Sequence, residues 1–212
     1  MSPTMPVPAA TQAPRHLLYL HGFRSSPQSF KARLLHAWLD EHARAVHWWC
    51  PQLPPSPRAA FALLEHGLAG WPREAMAVVG SSLGGFYAMV LAERLGCPAV
   101  LLNPAVDPAR DLAAYVGELR AYHDASVTLQ FGAESIDELR ALAPARITRP
   151  ERYFAIVAKG DELLDWREAV ARYAGAQVLL LEGSDHALSD FAQHLPAVPR
   201  FLRLCDAGPE KM

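Results

Sequence analysis

A serine between two glycines, at the junction of an apolar run and a helical pattern, is the feature that most constrains how this chain folds. The sequence Gly80-Ser81-Ser82-Leu83-Gly84 follows the apolar run Ala75–Gly80 and precedes a helical pattern over Gly85–Leu95. Side chains at either glycine would clash where the strand and the helix approach, so the turn is tight and its central serine is strained and exposed. We therefore predict Ser82 as a nucleophile and the Leu83 amide, at a helix N-terminus, as an oxyanion donor.

The apolar runs of the chain alternate with amphipathic helical patterns. Besides Ala75–Gly80, the runs are Leu17–Leu20, Val46–Trp49, Ala99–Leu102, Tyr153–Ala158 and Gln177–Leu181. Most lack polar alternation, as expected for strands that are covered on both faces of a parallel sheet. The alternation predicts a compact, mostly parallel, doubly wound α/β sheet of about six or seven strands with helices on both faces. Pro196 and Pro199 are expected to bend or split the last helix.

Length and composition indicate a single domain. The chain has 212 residues, of which 51% are hydrophobic, enough for a full core without disulfides or metals. We assign the domain to residues 15–205, with a flexible Pro-rich leader over 1–14 and a frayed tail over 206–212. Residues 106–150 are too long for an ordinary connection and have a weakly helical pattern, so we expect a small cap or pocket wall there.

Charge and cysteine content exclude several classes of function. The net charge of −2 argues against nucleic-acid binding. No apolar stretch reaches the roughly 18 residues that span a bilayer, and the N-terminus does not have the pattern of a secretion signal. The three cysteines, Cys50, Cys97 and Cys205, lack the spacing of a zinc or redox motif. A cytoplasmic protein with reduced thiols and no metal or cofactor is expected.

A serine hydroxyl needs a base, which in this chain order follows the serine. His186 lies in the loop after the apolar run Gln177–Leu181, at the edge of the sheet where a base is needed. His123 lies in the long excursion and His194 in the last helix. His21 precedes the serine and is expected to pack beneath the site. We therefore predict His186 as the base.

The acid that orients the base has several candidates. Asp161 lies in the loop after Tyr153–Ala158 and is our first choice. Asp107 is the second choice, although Asp107-Pro108 is also typical of a helix start. Asp165 opens the sequence Asp165-Trp166-Arg167-Glu168, which has the pattern of a capping box. Asp185 adjoins the base and is poorly placed to face its ring.

The loop after Leu17–Leu20 provides the second oxyanion donor. Gly22 permits an unusual backbone path there, and the amide of Phe23 is the best candidate. Arg24 follows and is a candidate for binding an anionic group of a substrate. The expected pocket residues, most of which have core packing as their alternative role, are Phe23, Arg24, Phe86, Leu163, Trp166, Leu188 and Phe191.

Taken together, these segments resemble the YqiA-like esterases of the α/β-hydrolase superfamily. The matching segments are Leu18–Pro27, Val79–Ala88, Leu101–Val106, Gly160–Glu162 with Asp165, and Gly183–His186. The resemblance implies an α/β-hydrolase fold that lacks the first hairpin. It also implies hydrolysis of a small-molecule acyl ester or thioester, with Ser82, Asp161 and His186 as the catalytic residues.

Two alternatives remain at this point. One is a non-catalytic binding or scaffold protein with the same fold. The other is an enzyme with the same three residues that transfers the acyl group to an acceptor other than water, or that cleaves a peptide.

Overall fold

Strands and helices alternate along the chain, as the hydrophobic pattern predicts. The computed structural model describes residues 13–204, apart from residues 123 and 125. The strands are β1 His16–Leu20, β2 His47–Trp49, β3 Met76–Ser81, β4 Ala99–Leu102, β5 Gly117–Arg120, β6 Thr128–Phe131, β7 Tyr153–Ala158 and β8 Gln177–Leu181. The helices are α1 Phe30–His42, α2 Pro57–Leu68, α3 Leu83–Leu95, α4 Pro108–Asp111, α5 Glu134–Leu142, α6 Trp166–Arg172, α7 Phe191–His194 and α8 Ala197–Phe201.

Six of these strands form one parallel sheet in the order β2-β1-β3-β4-β7-β8. The central strands β3 and β7 are buried along their whole length, which explains why their sequences lack polar alternation. The prediction of a mostly parallel α/β sheet is therefore confirmed.

Helices cover both faces of this sheet, and each face has its own core. Helices α1, α7 and α8 pack on one face, against residues such as Leu17 and Tyr19. Helices α2, α3, α5 and α6 pack on the other, against residues such as Leu18 and Val78. Since α1 and α3 lie on opposite faces while β1 and β3 are neighbours, the chain switches direction between these strands. Such a switch point opens a crevice at the carboxyl ends of the strands.

The long excursion after β4 is only partly helical. It contains α4 and α5, but also an antiparallel hairpin, in which β5 pairs with β6 and Leu119 lies opposite Leu129. The prediction of a weakly helical segment is therefore corrected. The two strands have four residues each, the lower limit at which a period-2 pattern can be recognised.

Three other expectations concern the last helix, the cysteines and the two termini of the chain. The last helical pattern is split as predicted, since α7 ends at His194 and α8 begins at Ala197. Cys50 and Cys97 are free thiols. Cys205, the tail over 206–212 and residues 1–12 of the predicted leader lie outside the described residues. None of the helices in the described part of the chain has the length and apolar character needed to cross a membrane.

Gly96 is the C-cap of helix α3, and its backbone conformation leads to a testable prediction about stability. Gly96 has a φ of 78° and its amide closes the helix on the carbonyl of Ala92. We expect Gly96→Ala to lower the free energy of unfolding by about 1 kcal/mol, because an L-residue is strained in the left-handed region. Gly70→Ala is the matched control, since a Cβ there meets no atom within 4 Å. Urea denaturation measures both, and equal stability of the two variants would contradict the assignment.

Candidate active site

The turn between β3 and α3 holds Ser82 in a left-handed conformation, with φ 55° and ψ −121°. A Cβ atom added at Gly80 would overlap the carbonyl of Gly84, and one added at Gly84 would overlap the carbonyl of Leu20 in β1. The clash predicted at both glycines is therefore present. Because an L-residue at positive φ is strained, the surrounding packing rather than the local sequence maintains this conformation of Ser82.

Three polar side chains from three different loops meet beside this turn. Ser82 Oγ lies 3.0 Å from Nε2 of His186, which follows β8. Nδ1 of the same ring lies 3.0 and 2.9 Å from the two carboxylate oxygens of Asp161, which follows β7. With its proton on Nδ1, the imidazole donates to Asp161 and accepts from the Ser82 hydroxyl. Residues that are far apart in sequence are thus joined in one chain of hydrogen bonds.

The carboxylate of Asp161 has further partners in its own loop. Its side chain is only 3% exposed, and Oδ1 accepts hydrogen bonds from the amides of Leu163 and Leu164, both at 2.9 Å. Such donors replace the water that a buried carboxylate loses. They also fix the plane of the carboxylate, so that it faces the ring of His186.

The other acidic candidates bind within their own segments. Asp107 is the N-cap of α4 and accepts from the amide three residues later at 3.2 Å. Asp165 is the N-cap of α6 and accepts from the amide two residues later at 3.0 Å. The carboxylate of Asp185 binds the amide and hydroxyl of Ser189, and these bonds lower the pKa of Asp185.

The predicted capping box at α6 is only half formed. Asp165 caps the helix, but the carboxylate of Glu168 receives two hydrogen bonds from the guanidinium of Arg110, both at 2.7 Å. A bidentate arginine pair is stronger than the amide contact that would close a capping box. This pair holds the pKa of Glu168 below its ordinary value and ties α6 to α4.

Of the other histidines considered as the base, the two that the structure describes have hydrogen-bond partners away from Ser82. His21 is 3% exposed, and its ring lies 2.9 Å from the carbonyl of Gly22 and accepts from the amide of Leu53 at 3.1 Å. His21 thus packs beneath the site, as predicted. His194 pairs with Asp190 at 3.0 Å, and His123 lies outside the described residues.

The sequence predicts the amides of Phe23 and Leu83 as oxyanion donors, and the structure shows what surrounds each of them. A Cβ atom added at Gly22 would lie 3.3 Å from Ser82 Cβ and 3.8 Å from its Oγ, so Gly22, the residue before Phe23, lies directly beside the hydroxyl. Leu83 is the first residue of α3, and its amide has no partner within the helix. Within the part of the chain that the structure describes, neither the Phe23 nor the Leu83 amide donates a hydrogen bond.

A cavity of about 360 Å³ opens beside Ser82 and His186. Its apolar and aromatic lining residues include Phe23, Leu83, Ala105, Pro108, Leu112, Tyr115, Leu163 and Leu164. Phe23 and Leu163 were predicted from the sequence. Asp111 also lines the cavity, and burial raises the pKa of its carboxyl group.

Five predicted pocket residues do not line this cavity; four of them lie in or against the cores, and the fifth, Arg24, contacts the hairpin. Phe86, Leu188 and Phe191 are fully buried in the two cores. Trp166 packs partly against the core and partly against the guanidinium of Arg167, 4.6 Å from the ring centroid. These assignments are corrected, because the first three side chains are enclosed in the cores and Trp166 packs beside Arg167 rather than on the cavity.

The segment after β4 lies over the loop that follows β1. Arg24 stacks on the ring of Tyr122 at 4.1 Å and donates to a carbonyl of the hairpin, so it does not line the cavity as predicted. The amide of Tyr122 donates to the Arg24 carbonyl at 2.9 Å, and the Phe23 ring meets Phe131 at 5.0 Å. These contacts bring Tyr115 and Tyr122 to the cavity. The position of these two tyrosines depends on the hairpin, so the local sequence does not predict that they line the cavity.

Lys31 is a cavity residue that the sequence does not reveal. It lies in the first turn of the amphipathic helix α1, where a lysine is ordinarily a solvated side chain. Here its ammonium group donates to the carbonyl of Ala187, next to His186. Burial lowers the pKa of Lys31 to about 8. The polar end of the cavity therefore lies between α1 and the loop after β8.

Comparison with known proteins places the chain in a sequence family. Residues 16–203 match the model of a family described as "Uncharacterised protein family (UPF0227)". A UPF0227 protein of Yersinia pseudotuberculosis is 23% identical over 192 residues, which cover 89% of this chain and 99% of that protein. A UPF0227 protein of Yersinia pestis matches with the same identity and coverage.

Solved structures with the same fold cover nearly the whole chain. Mouse α/β hydrolase domain-containing protein 10 matches with a TM-score of 0.67 and 14% identity, over 89% of each chain. Est1E of Butyrivibrio proteoclasticus, solved with ferulic acid, matches with a TM-score of 0.66 and 16% identity, over 97% of this chain and 94% of Est1E. A structure from work on the metagenome-derived lipolytic enzymes LipS and LipT matches with a TM-score of 0.65 and 20% identity, over 90% of this chain and 94% of its own. The chain has the α/β-hydrolase fold and belongs to the UPF0227 family, the YqiA-like family that its motifs predict.

Proposed function

We propose that this protein is a serine hydrolase that cleaves carboxylic esters or thioesters through a covalent acyl-enzyme on Ser82. The observation that carries the proposal is the hydrogen-bonded series from Ser82 Oγ through His186 to Asp161. A serine hydroxyl is a weak nucleophile unless a base accepts its proton and a third group orients that base. The distances and the order of the three groups meet this requirement.

The geometry supports a two-step acyl transfer. Nε2 of His186 accepts the hydroxyl proton while Ser82 Oγ attacks the substrate carbonyl, and Asp161 stabilises the imidazolium that forms. The amides of Phe23 and Leu83 donate to the oxyanion of the tetrahedral intermediate. His186 then gives the proton to the leaving alcohol or thiol. Water repeats the sequence on the acyl-enzyme and releases the acid.

The cavity favours a small acyl substrate. Its volume of about 360 Å³ lies near the lower end of the roughly 300–1,000 Å³ of small-molecule sites. Leu112, Tyr115 and Leu163 supply apolar surface beside the nucleophile, which suits the hydrocarbon part of an acyl group. The ferulic acid in the Est1E structure and the lipolytic activity of LipS and LipT agree with this class of substrate.

A purely binding role requires none of these features. A scaffold protein has no need of a strained serine, a base in contact with it and a buried carboxylate behind the base. The positive φ of Ser82 costs stability, and a base and an orienting carboxylate aligned with the serine are what nucleophilic catalysis requires. We therefore prefer catalysis to a purely binding role.

Replacing the nucleophile tests the proposal directly. We expect Ser82→Ala to lower the rate of p-nitrophenyl ester hydrolysis by about 10⁶-fold, because the three groups act as a unit. Circular dichroism checks that the fold is retained. The matched control is Ser81→Ala, which removes the adjacent hydroxyl and keeps activity within the wild-type order of magnitude. Retention of most activity in Ser82→Ala would refute the proposal.

A matched pair of asparagine variants separates the two candidate acids. We expect Asp161→Asn to lower kcat by about 10⁴-fold, because the amide no longer favours the correct histidine tautomer. Asp107→Asn should leave kcat unchanged, since asparagine caps a helix as well as aspartate does. Steady-state kinetics on one ester measures both variants. The reverse order of effects would assign the acid to Asp107.

A further inference from the structure

The carboxyl end of β4 contacts each segment that carries one of the three proposed catalytic residues. The carbonyl of Leu102 accepts from the amide of Ser82 at 3.0 Å, and the amide of Ala105 donates to the carbonyl of Ser82 at 3.1 Å. Between them, the amide of Asn103 donates to the carbonyl of Ile156 in β7 at 2.9 Å. The backbone of residues 102–105 therefore binds both the nucleophile and the strand that leads to Asp161.

The side chain of Asn103 adds the third segment. Its Oδ1 accepts from the amide of Ala158, the last residue of β7, at 2.8 Å. Its Nδ2 donates to the carbonyls of Asp185 and His186, at 2.9 and 3.2 Å. Both protons of the amide are used, and the residue is 2% exposed. A buried amide with all these partners has one orientation, because any rotation leaves polar groups unpaired.

The position requires an unusual residue. The φ of Asn103 is 41°, in the left-handed region that asparagine, aspartate and glycine tolerate best. Of these, only asparagine supplies one acceptor and two donors from a single side chain. Asn103 is also the only asparagine among the 212 residues. Asparagine is thus the residue type that satisfies both requirements at position 103, the positive φ and the three side-chain hydrogen bonds.

The loop after β8 depends on such contacts for its shape. It lacks regular secondary structure over residues 182–190, and Ser184 and Leu188 on either side of the base have φ values of 67° and 51°. The amide of His186 donates to Glu162 Oε2 at 3.0 Å, and Lys31 binds the carbonyl of Ala187. Glu162 is exposed and Lys31 is only partly buried, whereas Asn103 is buried, so the amide of Asn103 is the contact that water competes with least.

We propose that Asn103 is a positioning residue that holds His186 at hydrogen-bond distance from both Ser82 and Asp161. Asn103 itself touches no reacting atom and acts by linking the end of β7 to the backbone of the base. This inference rests on the proposed hydrolase function. Proton transfer depends steeply on the distance and angle between donor and acceptor, so loss of the link lowers turnover more than substrate binding.

The test compares Asn103→Asp and Asn103→Gly with the wild type. Aspartate keeps the acceptor for Ala158 and tolerates the backbone, but supplies at most one donor in place of two. Glycine removes all side-chain bonds without backbone strain, and serves if the aspartate variant does not fold. For both we expect kcat to fall about 100-fold, as for a displacement of about 1 Å. KM should stay within about threefold of the wild-type value.

A stability control separates positioning from general support of the fold. Ser56→Ala removes the N-cap of α2, where the hydroxyl accepts from the amide of Ala59 at 3.2 Å, far along the chain from the proposed catalytic residues. It should lower the melting temperature and leave kcat unchanged. If the Asn103 variants also lose stability but keep kcat within about threefold, this inference is overturned while Ser82-dependent hydrolysis stands. Absence of Ser82-dependent hydrolysis in the wild type would overturn both.

Discussion

The close approach of three backbone segments around Ser82 is the constraint on which the site depends. Gly84 has room only for hydrogen where it meets the carbonyl of Leu20, and Gly80 is limited in the same way by Gly84. The amide and carbonyl of Ser82 both bind residues at the end of β4. Because a serine at φ 55° is strained, this packing must supply the stability that the turn itself lacks. The backbone of Ser82 is thereby fixed at the edge of the sheet, where its Oγ lies 3.0 Å from Nε2 of His186.

The parallel sheet collects the other groups at the same edge. Asp161 and His186 follow neighbouring strands, β7 and β8, and both loops begin at the edge of the sheet where β3 ends. Parallel strands place their carboxyl ends together, so loops that are distant in sequence meet in space. In the described part of the chain, six non-glycine residues have a positive φ, and five of them lie in segments that follow β1, β3, β4 or β8 at this edge. These five are Arg24, Ser82, Asn103, Ser184 and Leu188. The strain is concentrated where the geometry of the site is set.

The sequence predicts the sheet and the three central residues because their signals are local. Buried strands such as Met76–Ser81 have continuous apolar runs, and Ser82, Asp161 and His186 each follow such a run. The hairpin over β5 and β6 has no such signal, since its stability comes from cross-strand pairing and from contacts with Phe23. Most of the predicted cavity lining was wrong, because Phe86, Leu188 and Phe191 are enclosed in the two cores, while the hairpin segment contributes Tyr122 instead. Asn103 belongs to a segment that resembles the family. Its contacts could not be predicted from the sequence, because its hydrogen-bond partners lie about 55 to 83 positions away.

Covalent labelling of the wild-type protein with a fluorophosphonate, followed by peptide mass spectrometry, tests the central claim most directly. Such a probe reacts with a serine only when a neighbouring base activates it. We expect one adduct, on the peptide that contains Ser82 and on that residue, and we expect His186→Ala to prevent its formation. An adduct on Ser81, or ester hydrolysis by a protein that the probe does not label, would contradict the assignment of Ser82 as the activated nucleophile.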